Sequence, residues 1–135
     1  MAVQQTLAAI TLVVGDYDEA IEYYTTILGF DLLEDTPLSA DKRWVRVKPP
    51  SVEKQQGSSI LLAQAANEQQ RAAIGHQTGG RVFLFLHTDD FWRDYEAYRS
   101  RNVKFIEEPR NEAYGTVVVF EDLYGNKWDL VEVKV

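Results

Sequence analysis

The chain contains no cysteine. That excludes disulfides, thiolate nucleophiles and cysteine-ligated metals, and makes a reducing cytoplasm the expected compartment. Histidine occurs only at His76 and His87, so a centre built on imidazole has little to draw on. No apolar run approaches the roughly 20 residues that cross a bilayer, and the opening MAVQQTL lacks the charged start and long apolar stretch of a signal peptide. Positive charge is scarce as well: 14 Lys and Arg face 21 Asp and Glu, a formal charge of −7. Nucleic acid and anionic membrane are argued against as partners, since both need clustered cations. The acidity itself fits plain solubility or attraction of a cationic ligand. No serine sits on a strand–turn–helix elbow, which leaves nucleophilic catalysis without an obvious agent.

What is present is an ordinary globular balance, 45% apolar over 135 residues, sized for a single domain over 1–135. It is written twice. Residues 10–28 (ITLVVGDYDEAIEYYTTIL) align without gaps on 84–102 (LFLHTDDFWRDYEAYRSRN), and a one-residue deletion then carries GFDLLE onto NVKFIE. Identities include Asp16 with Asp90, Glu22 with Glu96, Tyr24 with Tyr98 and Glu34 with Glu107. Such a duplication is expected to build one domain about a pseudo-twofold axis, with a shared cavity between the copies.

Repeat one is expected over about 6–64, a linker helix and loop over 65–80, and repeat two over about 81–135. Apolar, β-branched runs predict strands at 7–14, 30–34, 43–48 and 59–64, then at 82–87, 103–107, 116–121 and 127–134. Asp16 with Glu19 three positions on reads as a capping box opening a helix that runs to Leu28 and stops at Gly29. Residues 67–74 and 90–101 read as further helices, 51–57 as a polar, mobile loop, and 122–126 (DLYGN) as a tight turn. Each copy thus reads β-α-β-β-β. The fold class expected is α+β: tandem βαβββ repeats forming two facing, partly open, four-stranded mixed sheets with helices outside.

Two motifs, TLVVGDYDEAIEYYTTILGF at 11–30 and FEDLYGNKWDLVE at 120–132, resemble the opening strand and helix and the closing turn and strand of the vicinal-oxygen-chelate superfamily. That group includes glyoxalase I, bleomycin-resistance proteins and extradiol dioxygenases, and the resemblance covers nearly the whole chain. It implies the glyoxalase/bleomycin-resistance fold and a homodimer. It also implies four metal-ligand positions, two per repeat, which fall at Ala9, Leu61, Phe83 and Asp129. Methyl, isobutyl and phenyl groups offer no lone pair, and one carboxylate is a poor site for zinc, nickel or iron. No metal and no other cofactor is therefore expected, and metal-dependent glyoxalase or dioxygenase chemistry is argued against.

Asp129 is the polar survivor of the four. In an apolar pocket it reads as counter-charge to a ligand amine, as a general base, or as a structural hydrogen-bonding group. His87 is expected on the face of Phe83 and Phe85, either near Asp129 or bonded to backbone, and His76 on the surface of the linker. Trp44, Arg46 and Lys48 share one face of their strand, with Arg43, Val45 and Val47 on the other; an inward Arg46 would favour an anionic ligand instead. Tyr114 offers an aromatic face and a hydroxyl. Trp92 and Trp128 read as structural. The expected cleft is lined by Ala9, Thr11, Trp44, Arg46, Leu61, Phe83, Phe85, His87, Tyr114 and Asp129. The leading reading is a metal-free small-molecule-binding protein similar to bleomycin-resistance members. A lyase or isomerase using Asp129 and His87, and a scaffold or regulatory domain, are the alternatives.

Overall fold

Alternating apolar residues in Ala9–Val14 form β1, which lies parallel to β4 (Ser59–Gln64). β3 (Arg43–Lys48) pairs antiparallel with β4 and with β2 (Asp31–Pro37), giving the order β1-β4-β3-β2. The computed structural model describes residues 2–52 and 57–135, so most of the loop expected at 51–57 lies outside the described residues. The chain divides into two compact units, Met1–Ala72 and Ala73–Val135, and this first sheet belongs to the first.

One face of the sheet is apolar and buried: Leu12, Val14, Val45, Val47, Ile60 and Leu62. It packs against the helix α1 (Tyr17–Glu22), which contributes Tyr17 and Ala20. Asp16 caps α1 by accepting the Glu19 N–H at 2.8 Å. The helix then widens over Tyr23–Ile27 into a π-helical turn, with the Leu28 N–H reaching the Tyr23 carbonyl at 3.1 Å. Thr25 and Thr26 are β-branched neighbours there, and the Thr25 hydroxyl donates to the Ile21 carbonyl at 2.7 Å, a contact that competes with regular helix. Gly29 ends the element at φ +77°, as expected of a helix stop.

The short helix α2 (Glu68–Ala73) leads into the second unit, whose sheet runs β5-β9-β8-β6, with β7 also on β8. β5 (Val82–His87) and β9 (Lys127–Val133) are parallel, and β8 (Gly115–Glu121) is antiparallel to β9. The helix α3 (Phe91–Ser100), capped by Asp90 accepting the Arg93 N–H at 3.2 Å, contributes Phe91, Tyr95 and Tyr98 to the buried side. Trp128 stacks on Phe120 (centroids 5.9 Å), and Phe120 meets Tyr98 edge-on at 5.5 Å. Trp128 is thus a core residue, as expected.

The strand expected at 103–107 is shortened to β6 (Lys104–Phe105), and a further short strand that was not expected, β7 (Arg110–Glu112), follows it. Between them Pro109 has no N–H to give, and the Glu107 carboxylate, not a backbone carbonyl, accepts the Val119 N–H at 3.3 Å. The second sheet therefore has five strands, not four.

The duplication is visible in specific bonds. At the start of α1 the Tyr17 N–H donates to Gln64 Oε1 at 3.0 Å, and at the start of α3 the Phe91 N–H donates to Glu132 Oε1 at 2.7 Å. In each unit a side chain from the last residues of the closing strand thus satisfies an otherwise orphaned helix N–H. The β8–β9 turn is held by buried Asp122. Its carboxylate accepts from the Tyr124 and Asn126 backbone N–H groups (3.0 Å each), from Asn126 Nδ2 and from Trp128 Nε1 at 3.1 Å.

Candidate functional site

Each sheet has a second face, turned away from its own helix, and the expected site residues other than Phe83 and Tyr114 fall there. Across the first sheet the register sets Thr11 beside Leu61, Leu61 beside Arg46, and Arg46 beside Glu34. Across the second it sets Phe85 beside Asp129 and Asp129 beside Val119, with Glu107 reaching the Val119 N–H. The two rows correspond position by position through the repeat. Ala9 and Trp44 share the face of the first row, because strand residues two apart point the same way. Val45 and Val47 are fully buried on the opposite side, so Arg46 and Lys48 belong to the open face. Arg43 belongs to the helix side, over the Tyr17 ring at 5.1 Å and paired with Asp35 and Asp18.

Phe83 departs from expectation. The β5–β9 register shifts between Val82 and Leu84, so Phe83 sits in a bulge outside the alternation of Phe85 and His87, and its ring meets Trp128 edge-on at 6.4 Å. His87 is exposed and pairs in register with Val131, two positions along β9 from Asp129; at about 3.3 Å per residue that is some 7 Å of strand. Phe85 is 64% exposed and Tyr114, in the β7–β8 turn, 49%. His76 is exposed in the linker turn, as expected. Trp92 is also exposed, although its ring meets Phe91 and Tyr95 edge-on.

Asp129 is the anomaly of this face. Its side chain is 8% exposed, and among the described residues Oδ1 is buried with no hydrogen-bond partner. Burial pushes its carboxyl above the ordinary value; Arg110 opposes that and Glu107 adds to it. Those neighbours form a cluster that sequence reasoning did not assign. Arg110 donates through Nε to Glu107 at 2.8 Å and through Nη1 to Glu112 at 2.9 Å. The first unit holds a counterpart, Arg46 to Glu34 at 2.6 Å. The glutamates correspond by repeat, but the second arginine comes from a different strand. The identity of Glu34 with Glu107 was the signal available in the sequence; the arginine's origin was not.

The metal positions implied by the resemblance hold Ala9, Leu61, Phe83 and Asp129, one lone-pair donor among four. Among the described residues no group of three or more His, Asp or Glu is placed to hold a metal ion. The donor set does not fit a glyoxalase-type metal. Also among the described residues, no helix is long and apolar enough to cross a membrane.

Comparison with known proteins agrees with this fold. An uncharacterized protein of Shewanella frigidimarina (strain NCIMB 400) is 54% identical over 131 residues, covering 96% of this chain and 95% of the relative. The crystal structure of UcmS2 superposes with a TM-score of 0.81 at 28% identity, over 96% of this chain and 99% of that one. TnmS3, an antibiotic binding protein from Streptomyces sp. CB03234, gives a TM-score of 0.73 at 27% identity, over 99% of both chains. A family model matches residues 6–130, and with the duplicated strand–helix units and their matching rows it shows that the chain belongs to the Glyoxalase/Bleomycin resistance protein/Dioxygenase superfamily.

Proposed function

We propose that the protein binds a small organic molecule without a metal, using the open face of its second sheet. The ligand carries an amine or guanidinium that donates to Asp129 Oδ1. The observation that carries this reading is the partnerless, buried Oδ1. A buried acceptor with no donor costs about 1–3 kcal/mol, a cost that a ligand donor relieves on binding. Phe85 supplies exposed aromatic surface beside it, Tyr114 adds more next to Arg110, and Asp129, Glu107 and Glu112 outweigh Arg110 in charge, which favours a cation. Ala9, Thr11, Trp44, Arg46 and Leu61 offer a second surface for ligand on the open face of the first sheet. The similarity to TnmS3, an antibiotic binding protein, supports ligand capture over turnover. Pairing of two copies follows from open sheet edges and exposed aromatics, and a cytoplasmic location from the absence of cysteine.

A thermal-shift screen of amines, cationic antibiotics and metabolites tests the reading. A hit should raise the melting temperature of the wild type and lose most of that effect in Asp129→Asn. A cationic ligand that occupies this face with equal affinity in both proteins refutes it. The raised proton affinity of Asp129 favours one other reading, proton transfer with Asp129 as base and His87 nearby. In that case Asp129→Asn keeps binding while turnover collapses.

A further inference from the structure

The two open faces differ in charge, and the difference points to a second ligand chemistry. On the first sheet, a groove of about 790 Å³ is lined by Lys48, Arg46, Glu34 and Ser59, with Leu7 and Leu33 among its apolar walls. That volume lies within the range of small-molecule sites. Lys48 is 6% exposed. Among the described residues its ammonium makes one hydrogen bond, to Ser51 Oγ at 3.0 Å, and no ion pair. Asp31 stands opposite it across β2–β3, yet no ion pair joins them among the described residues. At the corresponding position of the second repeat, Glu121 is paired with Lys104 at 3.1 Å. One repeat has neutralised this charge and the other has not.

Buried ammonium groups are rarely left without an anion, because desolvation penalises them heavily. Arg46 beside Lys48 is already oriented. Its Nε and Nη2 donate to Glu34 Oε1, and its Nη1 donates to Ser59 Oγ at 3.1 Å. A guanidinium has five donors, so these three bonds leave two. Arg46 and Glu34 cancel in charge, and Lys48 leaves the groove positive in a chain whose net charge is −7.

We infer that this groove binds a small organic anion, its negative group held by the Lys48 ammonium and the spare N–H groups of Arg46, and its apolar body against Leu7 and Leu33. The groove is lined without Asp129 and takes the opposite ligand charge.

The test uses the full chain with 4-phenylbutyrate and its neutral amide as probes, followed by titration calorimetry and amide chemical-shift mapping. The acid should bind, shift resonances around Lys48, Ser59 and Leu7, and weaken as salt is added. The amide should bind roughly 10- to 100-fold more weakly, the worth of a charge-assisted hydrogen bond. Lys48→Met, which keeps the stem's bulk, should show the same loss for the acid, and Lys48→Arg should restore much of it. Asp129→Asn should leave acid binding unchanged, so this inference and the Asp129 reading fail separately. Equal binding of acid and amide, shifts mapping away from the groove, or no acid binding at millimolar concentration each overturns it. Should Lys48→Met not fold, the acid–amide comparison on the wild type decides alone.

Discussion

Neutralising Asp129 should make the protein more stable. In Asp129→Asn the side chain keeps its volume and polar shape while the charge disappears. In the wild type a carboxylate oxygen is buried without a donor among the described residues, between Phe85 on one strand and Val119 on the other. An unsatisfied buried acceptor costs about 1–3 kcal/mol, more when charged. An amide in its place removes the charged part of that cost, so a gain of roughly 1–2 kcal/mol is expected at neutral pH. For a chain of 135 residues, each kcal/mol moves the melting temperature by about 3–4 °C.

The pH dependence gives a sharper signature. Burial raises the folded-state pKa of Asp129 above its ordinary 3.8. Below 3.8 the group is protonated in both states and contributes no difference. As pH rises from there through the raised folded value, the unfolded chain gives up the proton more readily, and the wild type loses stability that Asp129→Asn keeps. The mutant's advantage should therefore open on going from acid to neutral pH and then level off. Urea denaturation of both proteins across that range, with ligand absent, measures it. A mutant that is less stable at neutral pH refutes the reasoning, because it means that Asp129 is held by a network that stabilises its charge.

The remaining expectations concern metal, assembly and local bonding. Dialysed, untagged protein should carry no stoichiometric zinc, nickel, iron or manganese by elemental analysis, and micromolar additions should leave the melting temperature unchanged; one tightly held ion per chain contradicts the donor chemistry. Sedimentation should give about twice the 15.4 kDa chain mass, and a monomer well above micromolar concentration counts against pairing. Asp122→Ala strips acceptors from the Tyr124, Asn126 and Trp128 donors and should cost about 3 kcal/mol or more in chemical denaturation; a loss below about 1 kcal/mol refutes the role given to that turn. Gln64→Ala and Glu132→Ala each remove the acceptor at a helix start and should cost about 1 kcal/mol apiece; a large asymmetry between them means that the equivalence of the two bonds is only geometric.

Much of this molecule is determined by local pattern and repetition. The bounds of 43–48, 59–64 and 82–87 as strands coincide with the structure, since alternation or a continuous apolar run bounded by turn residues leaves little choice. Among the identities between the copies, Asp16 and Asp90 prove to be helix caps and Tyr24 and Tyr98 core residues. Glu34 and Glu107 prove to be partners of arginine. Aligning the chain on itself set Thr11 against Phe85, whereas Leu61 and Asp129 were located by the resemblance to the family's ligand positions. The lack of a glyoxalase-type donor set was equally legible, because it depends only on which atoms the side chains possess.

Tertiary structure alone decided the rest. The bulge that takes Phe83 out of line, the shortening of the strand expected at 103–107 and the extra strand at 110–112 depend on pairing partners distant in sequence, and no local propensity encodes them. So does the choice of Arg110, not a residue of β8, as the partner of Glu107. Whether a charge is satisfied is the property least visible in sequence. Asp122 and Asp129 are both buried aspartates seven positions apart, yet one meets donors from a turn folded around it and the other has an Oδ1 that meets no donor among the described residues. Lys48 and Glu121 occupy matching positions, and of the two only Glu121 has an ion-pair partner among the described residues. Burial without a partner is a relation among surfaces that meet only when the chain has folded.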